Sequence, residues 1–564
     1  MRLIDTRTGE LVSKTNPEPG SYAILSHTWG DEDEEVSIQN YGDPATASIK
    51  TGLAKIAGVI RIAQSLNLNY VWVDTCCIDK SSSAELSEAI NSMFTWYQDS
   101  AICVVYLSDL PSHANFEDNF PRCRWLTRGW TLQELIAPKH VQFYTEAWEL
   151  CGDRSSRRDI LSRVTGIDTE ILENSEGLGQ IPIARRMSWA SNRHTTRVED
   201  QAYCLLGIFG INMPMIYGEG PKAFMRLQEE IAKDSGDLSL FAWATTDDAP
   251  PKQDQRYRGI FATSPKEFTI ARGMKYRSAG ILLEKEFSVT NRGLKIKTTL
   301  VEVPGLSMDL VLNLGVSDRD DWPRASSQGW MGIYLTKTSN GLVRSNPNEL
   351  YTAGAHLRYL HKSASPAFYI RKTVSPSESV DLEKRFTNAI HVPQIQSFFR
   401  IQHAAPDHLW DPLRGMFLHQ GMGINAYLRL IFHPQYGKYD GFQVIIACST
   451  MAHKPVCTLW MEGVDQWHNV RHFLENRKEV SDYVAVDYLS GFVGGDTSVL
   501  SSSASTKFQD PATNNTVILT VNVKDCWIEG GTPAYSLEAN VATIPCNSDK
   551  HTYDAHGYRS TLRR

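Results

Sequence analysis

The chain has 564 residues, too many for one hydrophobic core, and 42% of them are hydrophobic, so two or three packed domains are expected. A formal net charge of -7 argues against a general nucleic-acid binder, because phosphate recognition wants a basic face. No run of about 18 apolar residues occurs, so no membrane span is expected. Ten cysteines, sparse and without a C-x-x-C pair, fit a reduced, cytoplasmic setting.

Taken in order, the first 150 residues alternate between strand and helix. Tyr22 to Leu25 is a short apolar run predicting a buried strand, with Ser26 and His27 at its C-terminal end before Thr28-Trp29-Gly30. The acidic run Asp31 to Glu35 reads as a solvated loop. Leu53, Ile56, Ala57, Ile60, Ala63 and Leu66 recur at helical spacing. Tyr70-Val-Trp-Val-Asp74 predicts a second strand. Ser82-x-x-Glu85 then caps a helix whose apolar face is Leu86, Ile90, Met93, Phe94 and Tyr97. Ile102 to Leu107 is a third strand, and Val141 to Tyr144 a fourth. Between those two lies Arg124-Trp-Leu-Thr-Arg-Gly-Trp-Thr-Leu-Gln-Glu-Leu-Ile-Ala-Pro138, a helical run that Pro138 ends.

Such alternation predicts an α/β domain over 1–150, a flavodoxin-like parallel sheet with helices on both faces. Strand C-terminal ends then share one edge, where ligands of such sheets sit. Ser26, His27, Asp74 and the loop before Trp130 would collect there.

Residues 151–245 look helical. Arg197 to Gly207 predicts a helix ended by glycine, and Lys222 to Lys233 another. Gly218-x-Gly220-x-x-Ala223 touches a dinucleotide fingerprint but lacks the strand that should precede it. Asp247 to Gln255 reads as a linker. From 256 to 564 short alternating segments predict a β-rich, sandwich-like or barrel-like region: Phe287 to Thr290, Leu294 to Thr298, Met308 to Leu312, Gln443 to Ala447 and Val517 to Val521. Thr497 to Thr506 reads as a mobile loop and the tail from His551 as frayed.

Several chemistries are absent from the sequence. It has no G-x-x-x-x-G-K-[ST] phosphate loop, no H-E-x-x-H motif and no G-x-S-x-G elbow, and its histidines lack metal-ligand spacing, so no metal site is expected. Cys76 is either a nucleophile served by His27 or, with Cys77, a small buried filler. Asp79 is either a helix-start cap or a ligand contact. Trp29, Trp72 and Trp125 read singly as packing residues. Glu134 is the one acid in an apolar helix, near Arg124, Arg128 and Lys139 and close to Trp125 and Trp130. That setting suggests a site for a cationic or nucleotide-like ligand. The same spacing makes Thr131-x-x-Glu134 a capping box, and both readings stand.

Tyr22-Ala-Ile-Leu-Ser-His-Thr-Trp-Gly, Tyr70-Val-Trp-Val-Asp-Thr-Cys-Cys-Ile-Asp-Lys and Arg128-Gly-Trp-Thr-Leu-Gln-Glu-Leu-Ile-Ala-Pro together resemble a fungal heterokaryon-incompatibility (HET) domain. Residues from Arg197 through Trp243 resemble the segment that commonly follows it. The resemblance implies a role in non-self recognition, in which fusion of incompatible hyphae triggers cell death. It further implies a distant likeness to the TIR fold, some of whose members cleave NAD. Trp130-Thr-Leu-Gln-Glu134-Leu is similar to the TIR block Trp-Cys-x-x-Glu-Leu, with threonine in place of cysteine. On that likeness Glu134 is the catalytic acid, and Ser26, His27, Trp29, Asp74, Cys76, Asp79, Arg128 and Trp130 are candidate contacts for NAD as substrate, with no resident cofactor. The alternative it implies is a non-enzymatic death-signalling module that self-associates and recruits an incompatibility partner.

Overall fold

The computed structural model describes residues 1–245, apart from positions 32, 48 and 49, and much of 255–545. The longer stretches outside that description are 246–254, 278–285, 303–309, 319–328, 353–366, 393–398, 418–424, 433–441, 462–501 and 546–564. Almost all of the expected linker at 247–255, the first half of the expected loop at 497–506 and the tail from His551 lie outside it. The described chain forms two compact units, the first running from Met1 to Pro376 save for two short inserts, the second comprising mainly Ser377–Arg564.

The first unit is built on a seven-stranded sheet of β1 (Arg2–Asp5), β2 (Leu11–Ser13), β3 (Tyr22–His27), β4 (Tyr70–Trp72), β5 (Ile102–Tyr106), β6 (Val141–Tyr144) and β7 (Leu150–Asp153), in the order β2-β1-β4-β3-β5-β6-β7. β4, β3, β5 and β6 are mutually parallel, whereas β1 meets β4 and β7 meets β6 antiparallel. Every residue of β3 is buried, as expected of a strand with neighbours on both sides and helices on both faces. The chain runs from β3 outward to β4, then returns past β3 to β5. The reversal makes the β3/β5 boundary a topological switch point, the place where doubly wound sheets open a crevice. Right-handed crossovers send the two intervening helices to opposite faces. Helix Gly52–Ser65 buries Ile56, Val59, Ile62 and Ala63. Helix Ser83–Gln98 starts where the Ser82 side chain accepts the Glu85 N–H at 3.3 Å, and it buries Ala89, Ile90, Met93 and Tyr97.

Residues after β7 form helices that include Arg158–Thr165, Ile183–Ser188 and Lys222–Asp234. The helix expected from Arg197 to Gly207 is instead two four-residue helices, Asp200–Tyr203 and Leu206–Phe209, and the left-handed glycine that ends them is Gly210. Gly218 and Gly220 both have positive φ, and their N–H groups go to Oε1 of Glu199 at 2.7 and 3.1 Å. Those donors are spent within the protein, so this loop is no phosphate cradle. The same apolar core continues into a short-stranded sheet that includes Gly293–Ile296, Leu310–Asn313, Met331–Thr338 and Gly341–Ser345, and extends to Ile370. Buried Arg344 fastens this sheet to the preceding segment by donating to the carbonyls of Phe241 (3.1 Å) and Trp243.

The second unit holds a six-stranded sheet containing Ser503–Gln509, Thr516–Ile528 and Thr532–Ile544, and a four-stranded sheet of Phe399–Ala405, Asn425–Phe432, Phe442–Met451 and Lys454–Met461. Leu428, Leu430, Val444 and Ile446 share one core with Leu519, Val521, Val523 and Leu537, which is sandwich packing. Ser503–Gln509 is a paired strand, so the expected mobile loop is corrected from 503 onward. Among the described residues no helix is long and apolar enough to cross a membrane.

Candidate functional site

Strand alternation divides the end of β3 between two faces. Ser26 shares its face with Trp72, whose ring meets Tyr97 of helix Ser83–Gln98 edge-on at 5.9 Å. His27 faces the other way. On the Ser26 face its hydroxyl donates to Oε2 of Glu134 and accepts the Trp125 indole N–H at 2.7 Å. Trp125 is wholly buried and Glu134 is 7% exposed. The Tyr97 hydroxyl stands against the same carboxyl while donating to the Leu25 carbonyl at 3.1 Å. Burial pushes the Glu134 carboxyl up to about 8; Asp74 adds to that, while Ser26, Arg128 and the Tyr97 hydroxyl oppose it.

Glu134 does not cap its own helix. That helix, Thr131–Ile136, has Trp130 as its N-cap with no side-chain cap bond, and all six of its residues are buried. Thr131 is the first helical residue, and its hydroxyl turns back toward the carbonyls of Trp125 (2.6 Å) and Arg128 (2.9 Å). Six residues are too few to make a stable helix alone, and two buried arginines hold the ends. Arg193, from the helical segment, donates to Thr131 Oγ1 at 2.8 Å and to the Arg128 carbonyl at 2.9 Å. Arg154 donates to the carbonyls of Leu135 (2.7 Å), Ile136 (3.3 Å) and Lys139 (3.0 Å), a cation at the negative end of the helix.

On the opposite face, His27 lies between two carboxylates, with Nδ1 3.9 Å from Asp74 and Nε2 3.9 Å from Glu35. Burial would raise the Glu35 carboxyl, but His27, Lys55 and the Gly30 N–H outweigh it and hold the group down at about 2. Glu35 was expected in a solvated loop; its side chain is instead only 11% exposed and is paired with Lys55. Asp74 joins the two faces, because its other oxygen accepts the Trp29 indole N–H at 2.8 Å and its charge reaches Glu134. The half-buried Trp29 ring carries the Lys80 ammonium at 3.6 Å and has the Arg128 guanidinium 6.0 Å away.

Ser26, His27, Trp29, Asp74, Arg128 and Glu134 therefore gather at one sheet edge. Three other candidates have different surroundings. Cys76 is fully buried, and the neighbouring Cys77 thiol together with burial pushes it well up, so little thiolate is available. Asp79 accepts from the Ser81 N–H (3.0 Å) and hydroxyl (2.6 Å) just before helix Ser83–Gln98. Trp130 turns its indole N–H to Asp200 at 3.4 Å, toward the helical segment. Glu35, Lys55, Tyr97 and Arg193 were not singled out for the site in the sequence, because each meets it across a long loop or from another element, and Trp125, taken singly, read as packing. Among the described residues no group of three or more His, Cys, Asp or Glu could hold a metal ion. A cavity of about 500 Å³, lined in part by Leu66, Ile102, Lys139 and His140, opens at the opposite edge of the parallel strands and touches none of the gathered residues.

A doubly wound sheet with this cluster at its switch point coincides with a family match: residues 22–117 fit the model "Heterokaryon incompatibility protein (HET)", so the chain carries a HET domain. The matched span stops short of Trp125 and Glu134. Residues 222–302 fit a "Domain of unknown function (DUF8212)". Among named relatives, the Vegetative incompatibility protein HET-E-1 of Podospora anserina is 46% identical over 251 residues, which is 42% of this chain. That stretch is 18% of HET-E-1, so this chain matches under a fifth of its relative's length. Two solved structures of the Xerocomus chrysenteron lectin XCL, wild type and mutated, are each 13% identical, cover 27% of this chain and 96% and 95% of the lectin, and give TM-scores of 0.17 and 0.16. A likeness that slight carries no argument.

Proposed function

We propose that this chain acts in vegetative incompatibility, triggering cell death after non-self contact in the cytoplasm, and that its HET domain does so by cleaving NAD with Glu134. The HET match and the identity to HET-E-1 support the incompatibility role. The observation that carries the enzymatic half is the buried Glu134 carboxyl, held against Ser26 at the switch-point edge rather than spent on its own helix. A carboxyl with a perturbed proton affinity in such a place is suited to acid–base work.

In this reading the bond between C1′ of the ribose and the pyridinium nitrogen breaks, and nicotinamide leaves with the electron pair. Positive charge grows at C1′, and the Glu134 carboxylate stabilises it. Water then adds its oxygen to C1′ and releases a proton, giving ADP-ribose and nicotinamide. Glu134 must be ionised for this, and an incoming pyridinium cation favours the ionised form, as Arg128 already does. In the same reading the Trp29 ring meets the planar base and Arg128, 6.0 Å from that ring, meets a phosphate.

The test is NAD consumption by the purified 564-residue chain, wild type against Glu134→Gln. A loss of about 100-fold or more in a folded Gln variant supports catalysis. Equal turnover in the two proteins overturns it. A second reading, a non-enzymatic module acting by self-association and partner recruitment, is favoured by the low exposure of Glu134; it requires undiminished toxicity of the Gln variant in cells.

A further inference from the structure

The Trp29 ring is held at its rim and occupied on its face. Its indole N–H goes to Oδ2 of Asp74 at 2.8 Å, which fixes the ring and sets a carboxylate at its edge. An N–H given to a carboxylate leaves the indole richer in electrons, because hydrogen bonds polarise the groups they join. Among aromatic side chains tryptophan draws cations to its face most strongly, within about 6 Å of the ring centroid. Lys80 Nζ lies well inside that range at 3.6 Å, and the Arg128 guanidinium lies at its limit, 6.0 Å away. The two come from different elements, Lys80 from between β4 and helix Ser83–Gln98 and Arg128 from just before helix Thr131–Ile136. The ring is half-buried at the switch-point edge, whereas Lys80 is exposed and reaches it on a flexible four-carbon stem.

We infer that the Trp29 face is a subsite for a planar organic cation, and that Lys80 is its internal competitor, an ammonium of the chain's own that the ligand displaces. A neutral ring entering this place gains stacking but forfeits the contact between ammonium and indole. A cationic ring exchanges one such contact for another and keeps the Asp74 carboxylate at the rim, so the subsite selects by charge as well as by shape. Lys80 is the group that leaves, because an exposed ammonium recovers its hydration at once. An exposed contact of this kind competes only mildly, by about two- to five-fold in affinity. The identity of the ligand rests on the glycohydrolase reading, in which the cation is the pyridinium ring of oxidised NAD. The neutral dihydropyridine of the reduced form is then disfavoured at binding, before any bond breaks. Lys80 and Trp29 are in that sense specificity-determining residues, and the subsite can be read without any turnover.

The probe is nicotinamide methylated on its ring nitrogen, a pyridinium with no ribose and therefore no bond for the proposed reaction to break. Its dissociation constant is measured by ligand-detected NMR on the purified 564-residue chain, beside that of nicotinamide, the same ring without the charge. The wild type binds the methylated cation more tightly, and Trp29→Leu removes the preference. Lys80→Ala tightens binding of the cation about two- to five-fold, whereas Lys80→Arg, which keeps a cation over the ring, does not. Equal affinity of the wild type for the two rings overturns the subsite, and so does a preference that survives in a folded Trp29→Leu protein. An affinity for the cation that is unchanged or lowered in Lys80→Ala overturns the competitor role and leaves Lys80 as an ordinary surface contact. Should Trp29→Leu fail to fold, the comparison of the two rings and the variants of exposed Lys80 still decide the matter. Selective binding of the cation with no NAD turnover sinks the glycohydrolase reading alone, and NAD turnover with no such selectivity sinks the subsite alone.

Discussion

Replacing Glu134 by glutamine should make the protein more stable at neutral pH. The folded carboxyl is raised from an ordinary 4.5 to about 8, chiefly by burial. Below pH 4.5 the acid is protonated in both folded and unfolded chains, and its full contribution to stability is present. Between 4.5 and 8 the unfolded chain has released the proton while the folded one keeps it, so stability drains at about 1.4 kcal/mol per pH unit. The loss reaches roughly 3 kcal/mol by pH 7 and levels off above pH 8. Glutamine has the shape of the protonated acid, and its oxygen can accept from Ser26. It never ionises, so it escapes the loss. Urea unfolding of both proteins at pH 5, 6, 7 and 8 isolates this term, because every other titrating group is common to the pair. The Gln variant should gain steadily with pH, by roughly 3 kcal/mol at pH 7. A stability difference that stays flat with pH would refute the reasoning, since Glu134 would then titrate alike in both states. A wild type that gains on the variant as pH rises would refute it more strongly.

Three further outcomes follow from named contacts. If Glu134 cleaves NAD, kcat/KM should climb with pH toward about 8 and level above it, because only the ionised acid serves; a profile flat from pH 5 to 9 would speak against it. A Cβ added at Gly58 falls 2.2 Å from Trp148 Cε2, so Gly58→Ala should cost about 1–3 kcal/mol and lower Tm, with partial recovery when Trp148 is also cut to alanine. Arg344→Met strips the Phe241 and Trp243 carbonyls of their donor and a guanidinium stacked 3.6 Å over the Trp243 ring. It should lower unfolding stability by roughly 2–4 kcal/mol, and a neutral result would show that water takes over both carbonyls.

The parallel sheet was legible because its signals are local. β3, β5 and β6 are apolar runs bounded by turn residues, and the helices between the central strands carry their stripes at helical spacing. Pro138 marked the helix end within two residues of Ile136. β1, β2 and β7 left no comparable trace: each has three or four residues, β2 and β7 bury none of them, and β1 has no turn signal that separates it from a polar N-terminus. Glu35 misled for a related reason. A run of acids reads as solvated on average, yet a single member can turn inward once His27 and Lys55 lie beneath it. Ser26, His27, Asp74 and Glu134 could be grouped because topology alone delivers strand ends to one edge. Tyr97 was seen only as one position of an apolar helix stripe, and its hydroxyl could not be aimed from sequence.

The ambiguity at Thr131-x-x-Glu134 shows most plainly where local reading ends. The spacing is a capping signature, and in isolation the threonine hydroxyl and the glutamate would each find a free backbone N–H nearby. In the folded chain the backbone of Arg128 instead pairs with that of His194, with Gly129 donating to the His194 carbonyl at 2.9 Å and His194 to Thr127 at 2.6 Å. Arg193, the residue before that pairing, takes the Thr131 hydroxyl as an acceptor. The threonine is thereby drawn inside the helix and withdrawn from capping, and the glutamate side chain is free to reach Ser26 on a strand 108 residues earlier. What Glu134 does is decided by a segment some sixty residues downstream of it, in a part of the chain the HET family match does not include. The helical segment is therefore part of the candidate site's construction, and substitutions there should be judged for their effect on Glu134 as well as on folding.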